Sequence, residues 1–171
     1  NGAIDSGAIL YVVGTLVMKH AKIASGLSTV EGAAIKRPTV SLSQYNNAIF
    51  GTITLDHVHI RNCYSDSGSA IIIFNQAQDN FGGGNTPTGC STTISNCKIF
   101  HNYSRCTEGV GGTIRTGGGV VGNLTMTNTS VYENYAGTYG GGMVTAAQGH
   151  EETVFVMDGC KIHGNRAATY A

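Results

Sequence analysis

The groups best suited to chemistry in this 171-residue chain are histidines, aspartates, cysteines and asparagines, spread thinly along it. His57 and His59 flank Val58 and directly follow Asp56. Two imidazoles and a carboxylate suit a transition metal. In an extended strand, however, His59 points outward while His57 falls at a bend, and only Asp56 is spaced to join them. The pattern reads better as polar decoration of a turn, where His20 recurs in the same column as His57 and stacking of the two at the turn is expected. No metal or cofactor is expected.

Glycan cleavage needs paired carboxylates, or a calcium site beside a basic residue, on one exterior face. Lys19, Asp56 and Asp158 share one outward column, but Ser95 and Thr127 separate the two aspartates. Arg61, Asp66, Asp79, Arg105 and Arg115 are scattered over loops and surface. No catalytic residue is assigned, and an enzyme is the less favoured reading. The glycine runs, such as Gly82-Gly-Gly-Asn85, lack the Gly-Lys-Ser/Thr of a phosphate cradle.

Five cysteines occur without any Cys-x-x-Cys spacing. Cys97 and Cys160 fall in one inward column with Thr129 between them, roughly 9–10 Å apart at the spacing of β-strands and too far to bridge. Cys63, Cys90 and Cys106 lie in or near loops; Cys63 with Cys106 is the preferred disulfide among several open pairings. Three glycosylation sequons begin at Asn102, Asn123 and Asn128. Asn102 and Asn128 sit at turns where their amides should be engaged, so Asn123 is the candidate acceptor.

The elements that position these residues come from a repeat. Segments beginning at Leu16, Ile53, Thr92, Leu124 and Phe155 align without gaps, and their anchors Ile23, Ile60, Ile99, Val131 and Ile162 are spaced by 37, 39, 32 and 31 residues. Each segment alternates apolar and polar residues, as a half-buried strand does, then meets a turn residue and alternates again. After a variable loop comes a glycine-led strand: Gly7-Ala-Ile-Leu10, Gly32-Ala-Ala-Ile35, Gly68-Ser-Ala-Ile71, Gly111-Gly-Thr-Ile114 and Gly141-Gly-Met-Val144. Helical phasing is not sustained anywhere. The expected fold is all-β: one right-handed parallel β-helix over residues 1–171, with about five rungs of three short strands and long loops.

Composition agrees with that class. Only 12% of residues are charged, ten basic side chains balance ten acidic ones, and glycine fills 25 positions. Net neutrality argues against a nucleic-acid partner. The run Ala8–Val13 falls far short of the roughly 20 apolar residues of a membrane helix.

The register assigns a core stack to Ile23, Ile60, Ile99, Val131 and Ile162. It places polar residues in two turn columns. The first holds His20, His57, Asn96, Asn128 and Gly159; the second holds Gly26, Cys63, Asn102, Asn134 and Asn165. Asn96, Asn102, Asn128, Asn134 and Asn165 are expected to turn inward and form an asparagine ladder that satisfies backbone groups at the bends.

Ile99-Phe-His-Asn102, Val131-Tyr-Glu-Asn134 and Ile162-His-Gly-Asn165, combined with the glycine-led strands, resemble the repeats of polymorphic outer-membrane proteins and related extracellular adhesins. Phe100-His-Asn102 is one residue short of that family's Phe-x-x-Asn element, and Gly32 and Gly68 are single where the family has a pair. The resemblance implies an extracellular or cell-surface location and adhesive or structural work, and it carries no active site across. The expected function is therefore a rigid surface-displayed rod or filament unit, with a glycan or surface receptor as its outside partner. The alternative is a glycan-binding or glycan-cleaving β-helix of the pectate-lyase kind. Neither end shows a capping helix, so self-association or continuation of the solenoid at the terminal rungs is expected.

Overall fold

The computed structural model describes residues 9–12, 14–29, 33–37, 40–41, 51–66, 71–74, 77–78, 91–105, 114–118, 123–137, 140–147 and 154–168. All regular structure among the described residues is β-strand. The first sheet takes Leu16–Lys19, Ile53–Asp56, Ser91–Ser95, Asn123–Thr127 and Phe155–Asp158, in that order. A second, reached after one turn residue and one inward residue, takes Lys22–Ala24, His59–Arg61, Lys98–Phe100, Ser130–Tyr132 and Lys161–His163. A third is built from two-residue strands: Leu27–Ser28, Tyr64–Ser65, Tyr103–Ser104, Tyr135–Ala136 and Arg166–Ala167. The fourth holds Leu10–Tyr11, Ile35–Arg37, Ile71–Phe74, Ile114–Gly118 and Met143–Ala147. Val40–Ser41 pairs with Ala77–Gln78 as a small fifth sheet. Neighbouring strands pair in parallel throughout, so consecutive repeats stack in the manner of a solenoid.

Two details differ from the sequence expectation. Each repeat contributes to four main sheets rather than three, because the residues just past the second turn pair as separate two-residue strands. Ile114 stands in register with Met143, not with Val144. Glycine pairs carry no apolar alternation, so the sequence gives that strand nothing to fix a one-residue slip.

The anchor column is continuous: Ile23 pairs with Ile60, Ile60 with Ile99, Ile99 with Val131 and Val131 with Ile162. Ile60, Ile99 and Val131 are fully buried, together with Ile53, Leu55, Ile94 and Met126 from the first sheet. Each such side chain contributes about 1.5–3 kcal/mol by leaving water. Alternation is what selects them, since every second residue of a strand faces the same side.

Two bends per repeat turn the chain between sheets, and both use left-handed backbone. His20, His57, Asn96, Asn128 and Gly159 have φ of 49°, 54°, 54°, 47° and 61°; Ser25, Asn62, His101, Glu133 and Gly164 have 60°, 54°, 54°, 52° and 64°. Side-chain-bearing residues pay about 1–2 kcal/mol for this conformation, and Asn and Gly tolerate it best. Asn96 and Asn128 therefore belong to the bend itself. They are exposed, not inward, which corrects their assignment to the ladder.

The residue after each left-handed position turns its side chain into the core, and there it does the work of a missing strand. Asn102 is 1% and Asn134 2% exposed. Asn102 Oδ1 accepts the Cys63 N–H at 3.0 Å, Asn134 Oδ1 accepts the Asn102 N–H at 3.0 Å, and Asn165 Oδ1 accepts the Asn134 N–H at 3.0 Å. Each Nδ2 then donates to the anchor carbonyl one repeat earlier: Asn102 to Ile60 at 3.2 Å, Asn134 to Ile99 at 3.0 Å, Asn165 to Val131 at 2.9 Å. Backbone groups that the bend removes from the ladder of strands are thereby satisfied. Gly26 ends the column, because a Cβ at that position would collide with the Ala33 carbonyl oxygen.

The first bend uses the same device with smaller groups. The Val58 N–H donates to Cys97 Sγ at 3.4 Å and the Cys97 N–H to Thr129 Oγ1 at 3.2 Å, while Thr129 Oγ1 donates to the Thr127 carbonyl at 2.9 Å. Cysteine and threonine can both serve in this column because each presents a weak or moderate acceptor to the backbone N–H of the preceding repeat.

Candidate functional site

A dense gathering of outward polar groups among the described residues lies on the first bend, across three consecutive repeats. Asp56 ends the strand Ile53–Asp56, and its outward position follows from the alternation that buries Ile53 and Leu55. Three donors converge on Asp56 Oδ1: Asn96 Nδ2 at 2.9 Å, Ser95 Oγ at 3.0 Å and His57 Nδ1 at 2.9 Å. The Asn96 and Ser95 hydrogen bonds, with the one from His57, lower its pKa to about 2. The His20 ring stacks on His57 with centroids 4.8 Å apart and planes 30° from parallel. His20, Asp56 and His57 are the group among the described residues that could hold a metal, with one ligand atom from each lying within 4.8 Å of the others.

Sequence reading paired His57 with His59, its neighbour along the chain. The structure pairs it with His20, one repeat away. His59 stands outward on the second sheet in register with Lys22 and Lys98. The shared turn column of His20 and His57 pointed to that stacking, and the rings do stack.

A second corner carries aromatic stacks that sequence reading missed. Phe100, Tyr132 and His163 stack in register with centroids 5.0 and 5.3 Å apart and planes within 4° of parallel. Tyr64, Tyr103 and Tyr135 form a parallel stack with centroids at 5.2 and 4.8 Å. Between the stacks, His101 Nε2 meets Glu133 Oε2 at 2.6 Å, and just past the tyrosine stack Arg105 reaches Asp66 at 3.3 Å. The two aromatic columns follow the anchors and the asparagines by one residue, so the alignment held them. Rings stacked this way cover one another's faces and present edges to solvent. A sugar platform needs an open face, and these columns stiffen the repeat instead.

The remaining candidates fall as follows. Cys63 is a buried free thiol in the asparagine column, and its Sγ donates weakly to the Arg61 carbonyl at 3.5 Å. Burial raises the pKa of Cys63 and of Cys97. Cys106, the suggested partner of Cys63, lies outside the described residues, as do Cys90 and Asp79. Cys160, below Thr129, donates weakly to the Met126 carbonyl at 3.4 Å. Of the sequon asparagines, Asn102 is sealed in the ladder, Asn128 is exposed at its bend, and Asn123 opens its strand in register with Ser91. Asp56 and Asp158 share a sheet, with Ser95 and Thr127 on the strands between.

Comparison with protein-family models, with curated proteins and with solved structures found no match for this chain.

Proposed function

We propose that the chain is a non-catalytic structural or adhesive unit of an extracellular, surface-displayed rod, coiled as a right-handed parallel β-helix of about five rungs and able to self-associate through the exposed strand edges of residues 155–167. The observation that carries this reading is the state of the last inward column. Met157 and Ile162 are 45% and 44% exposed, whereas Met126 and Val131, one repeat earlier in the same columns, are at 0%. Phe155–Asp158, Lys161–His163, Arg166–Ala167 and Met143–Ala147 each stand at the edge of a five-stranded sheet. Apolar core side chains above an open row of backbone donors and acceptors form a template for another strand layer.

In the first repeat Ile23 is only 3% exposed, while Leu16 and Met18 are half-buried. Right-handed coiling is supported by the crossover rule, which parallel strands joined within one sheet obey in about 98% of cases. The surface location and adhesive role are supported by the likeness of the repeats to those of polymorphic outer-membrane proteins. A receptor or glycan would meet the outward columns.

Sedimentation velocity over a concentration series tests the reading. The wild-type chain should associate as concentration rises, and Ile162→Lys, which places a charge in the open column, should be monomeric with an unchanged circular dichroism spectrum. A wild-type chain that stays monomeric at tens of micromolar overturns the proposal.

A further inference from the structure

We propose that His20, Asp56 and His57 form a surface site for one divalent transition metal ion of the zinc, nickel or copper kind. The three residues come from adjacent repeats, and the backbone fixes their approach. His20 and His57 are left-handed at equivalent bends, and each is tied to the following repeat: the His20 N–H donates to the Asp56 carbonyl at 3.0 Å and the His57 N–H to the Ser95 carbonyl at 3.1 Å. Imidazoles so placed recur at the height of one strand layer, which gives their 4.8 Å stacking distance.

One ligand atom from each residue already lies within 4.8 Å of the other two. Tetrahedral coordination at a metal–nitrogen distance near 2.0–2.1 Å separates ligand atoms by about 3.3 Å. The group must therefore contract by roughly 1.5 Å, a movement that side-chain torsions supply without disturbing the strands. Both imidazoles are exposed, so the movement has to overcome chiefly their mutual stacking and the His57–Asp56 hydrogen bond.

The carboxylate is supported independently of the histidines. Ser95 Oγ and Asn96 Nδ2 both donate to Asp56 Oδ1, and they hold it when His57 turns from hydrogen bonding to ligation. This is the outer shell of donors that metal-binding carboxylates ordinarily have. The His57 Nδ1 to Asp56 Oδ1 hydrogen bond is exchanged for two metal–ligand bonds, and the imidazole proton moves to its other nitrogen or to solvent.

The donor set chooses the metal. Two imidazoles with one carboxylate suit zinc, nickel or copper, whereas calcium takes six to eight oxygen ligands.

Isothermal titration of the full chain with Zn²⁺, and separately with Ca²⁺, tests the site, together with histidine side-chain NMR. His20→Asn and His57→Asn are the informative variants, because asparagine keeps the left-handed bend that Asn96 and Asn128 already use. His101→Asn is the matched control, made at the other bend. The expected result is one Zn²⁺ per chain, affinity reduced at least about tenfold by either site variant, no change with His101→Asn, and ring shifts at His20 and His57. Absence of Zn²⁺ binding, equal affinity in the site variants, tighter Ca²⁺ than Zn²⁺ binding, or ring shifts centred on His59 would each overturn the assignment.

Discussion

Replacing Asn134 by alanine tests the internal ladder. The side chain makes four hydrogen bonds. Its Oδ1 accepts from the Asn102 N–H at 3.0 Å and from Asn102 Nδ2 at 3.1 Å; its Nδ2 donates to the Ile99 carbonyl at 3.0 Å and to Asn165 Oδ1 at 2.9 Å. Asn102 Nδ2 keeps its bond to the Ile60 carbonyl, and Asn165 Oδ1 keeps the Asn134 N–H. The Asn102 N–H loses the acceptor that the next repeat supplies, in a place where Asn102 is only 1% exposed. An orphaned buried donor costs about 1–3 kcal/mol, and each other lost bond about 0.5–1.5 kcal/mol. The sum is about 3–5 kcal/mol once partial compensation is allowed. Urea unfolding followed by circular dichroism measures it, with Asn128→Gly as the control, because Asn128 is exposed and glycine accepts its φ of 47°. The control should lie within about 0.5 kcal/mol of wild type. If Asn134→Ala costs no more than the control, with an unchanged denaturant slope, the ladder does not hold the bend and the reasoning fails.

Ile99→Ala, at a fully buried anchor, should cost about 2–5 kcal/mol by the same unfolding assay; Ile162→Ala, 44% exposed, should cost clearly less in dilute solution. Cys97→Thr, which copies Thr129 one repeat on, should be tolerated within about 1 kcal/mol, while Cys97→Val should cost about 1–3 kcal/mol by leaving the Val58 N–H without its acceptor. Asp56, with its pKa lowered to about 2 in the folded chain, should add stability above the unfolded value of about 3.9 and lose that contribution as pH falls toward 2. Thermal melts of wild type between roughly pH 4 and 2 should therefore fall more steeply than those of Asp56→Asn.

Much of the architecture was legible because alternation and spacing are dictated by burial. Ile60, Ile99 and Val131 could be aligned without coordinates, since an inward position on a stacked strand admits only a few residue types. Asn134 and Asn165 were legible for a related reason: an amide repeated at one turn can satisfy both a donor and an acceptor of a bent backbone. The two-residue strands such as Tyr103–Ser104 were not, because two residues are too few to show a period. Nor were the left-handed φ values of Ser25 and Glu133, whose side chains have no preference for that conformation; Asn62, His101 and Gly164 in the same column hint at it. Asn96 and Asn128 misled for the opposite reason. Asparagine serves equally as an inward ladder rung and as an outward left-handed residue, and sequence type alone does not separate the two. The stacking of His20 on His57 was legible from their shared turn column, because equivalent turn residues of adjacent repeats stand one strand layer apart.

Amide hydrogen exchange resolved along the last repeat, at low and high protein concentration, tests most directly whether the open edge receives another strand layer. The Lys161 N–H donates backward to Thr129 and the Asp158 carbonyl accepts from Asn128, so in a parallel ladder the backbone of Met157 and Ile162 points forward, away from the preceding repeat. The account predicts that the Met157 and Ile162 amides exchange quickly in dilute solution and become protected as concentration rises, while those of Met126 and Val131 are protected throughout. Fast exchange at Met157 and Ile162 at every concentration, or full protection of both in the dilute monomer, would contradict it.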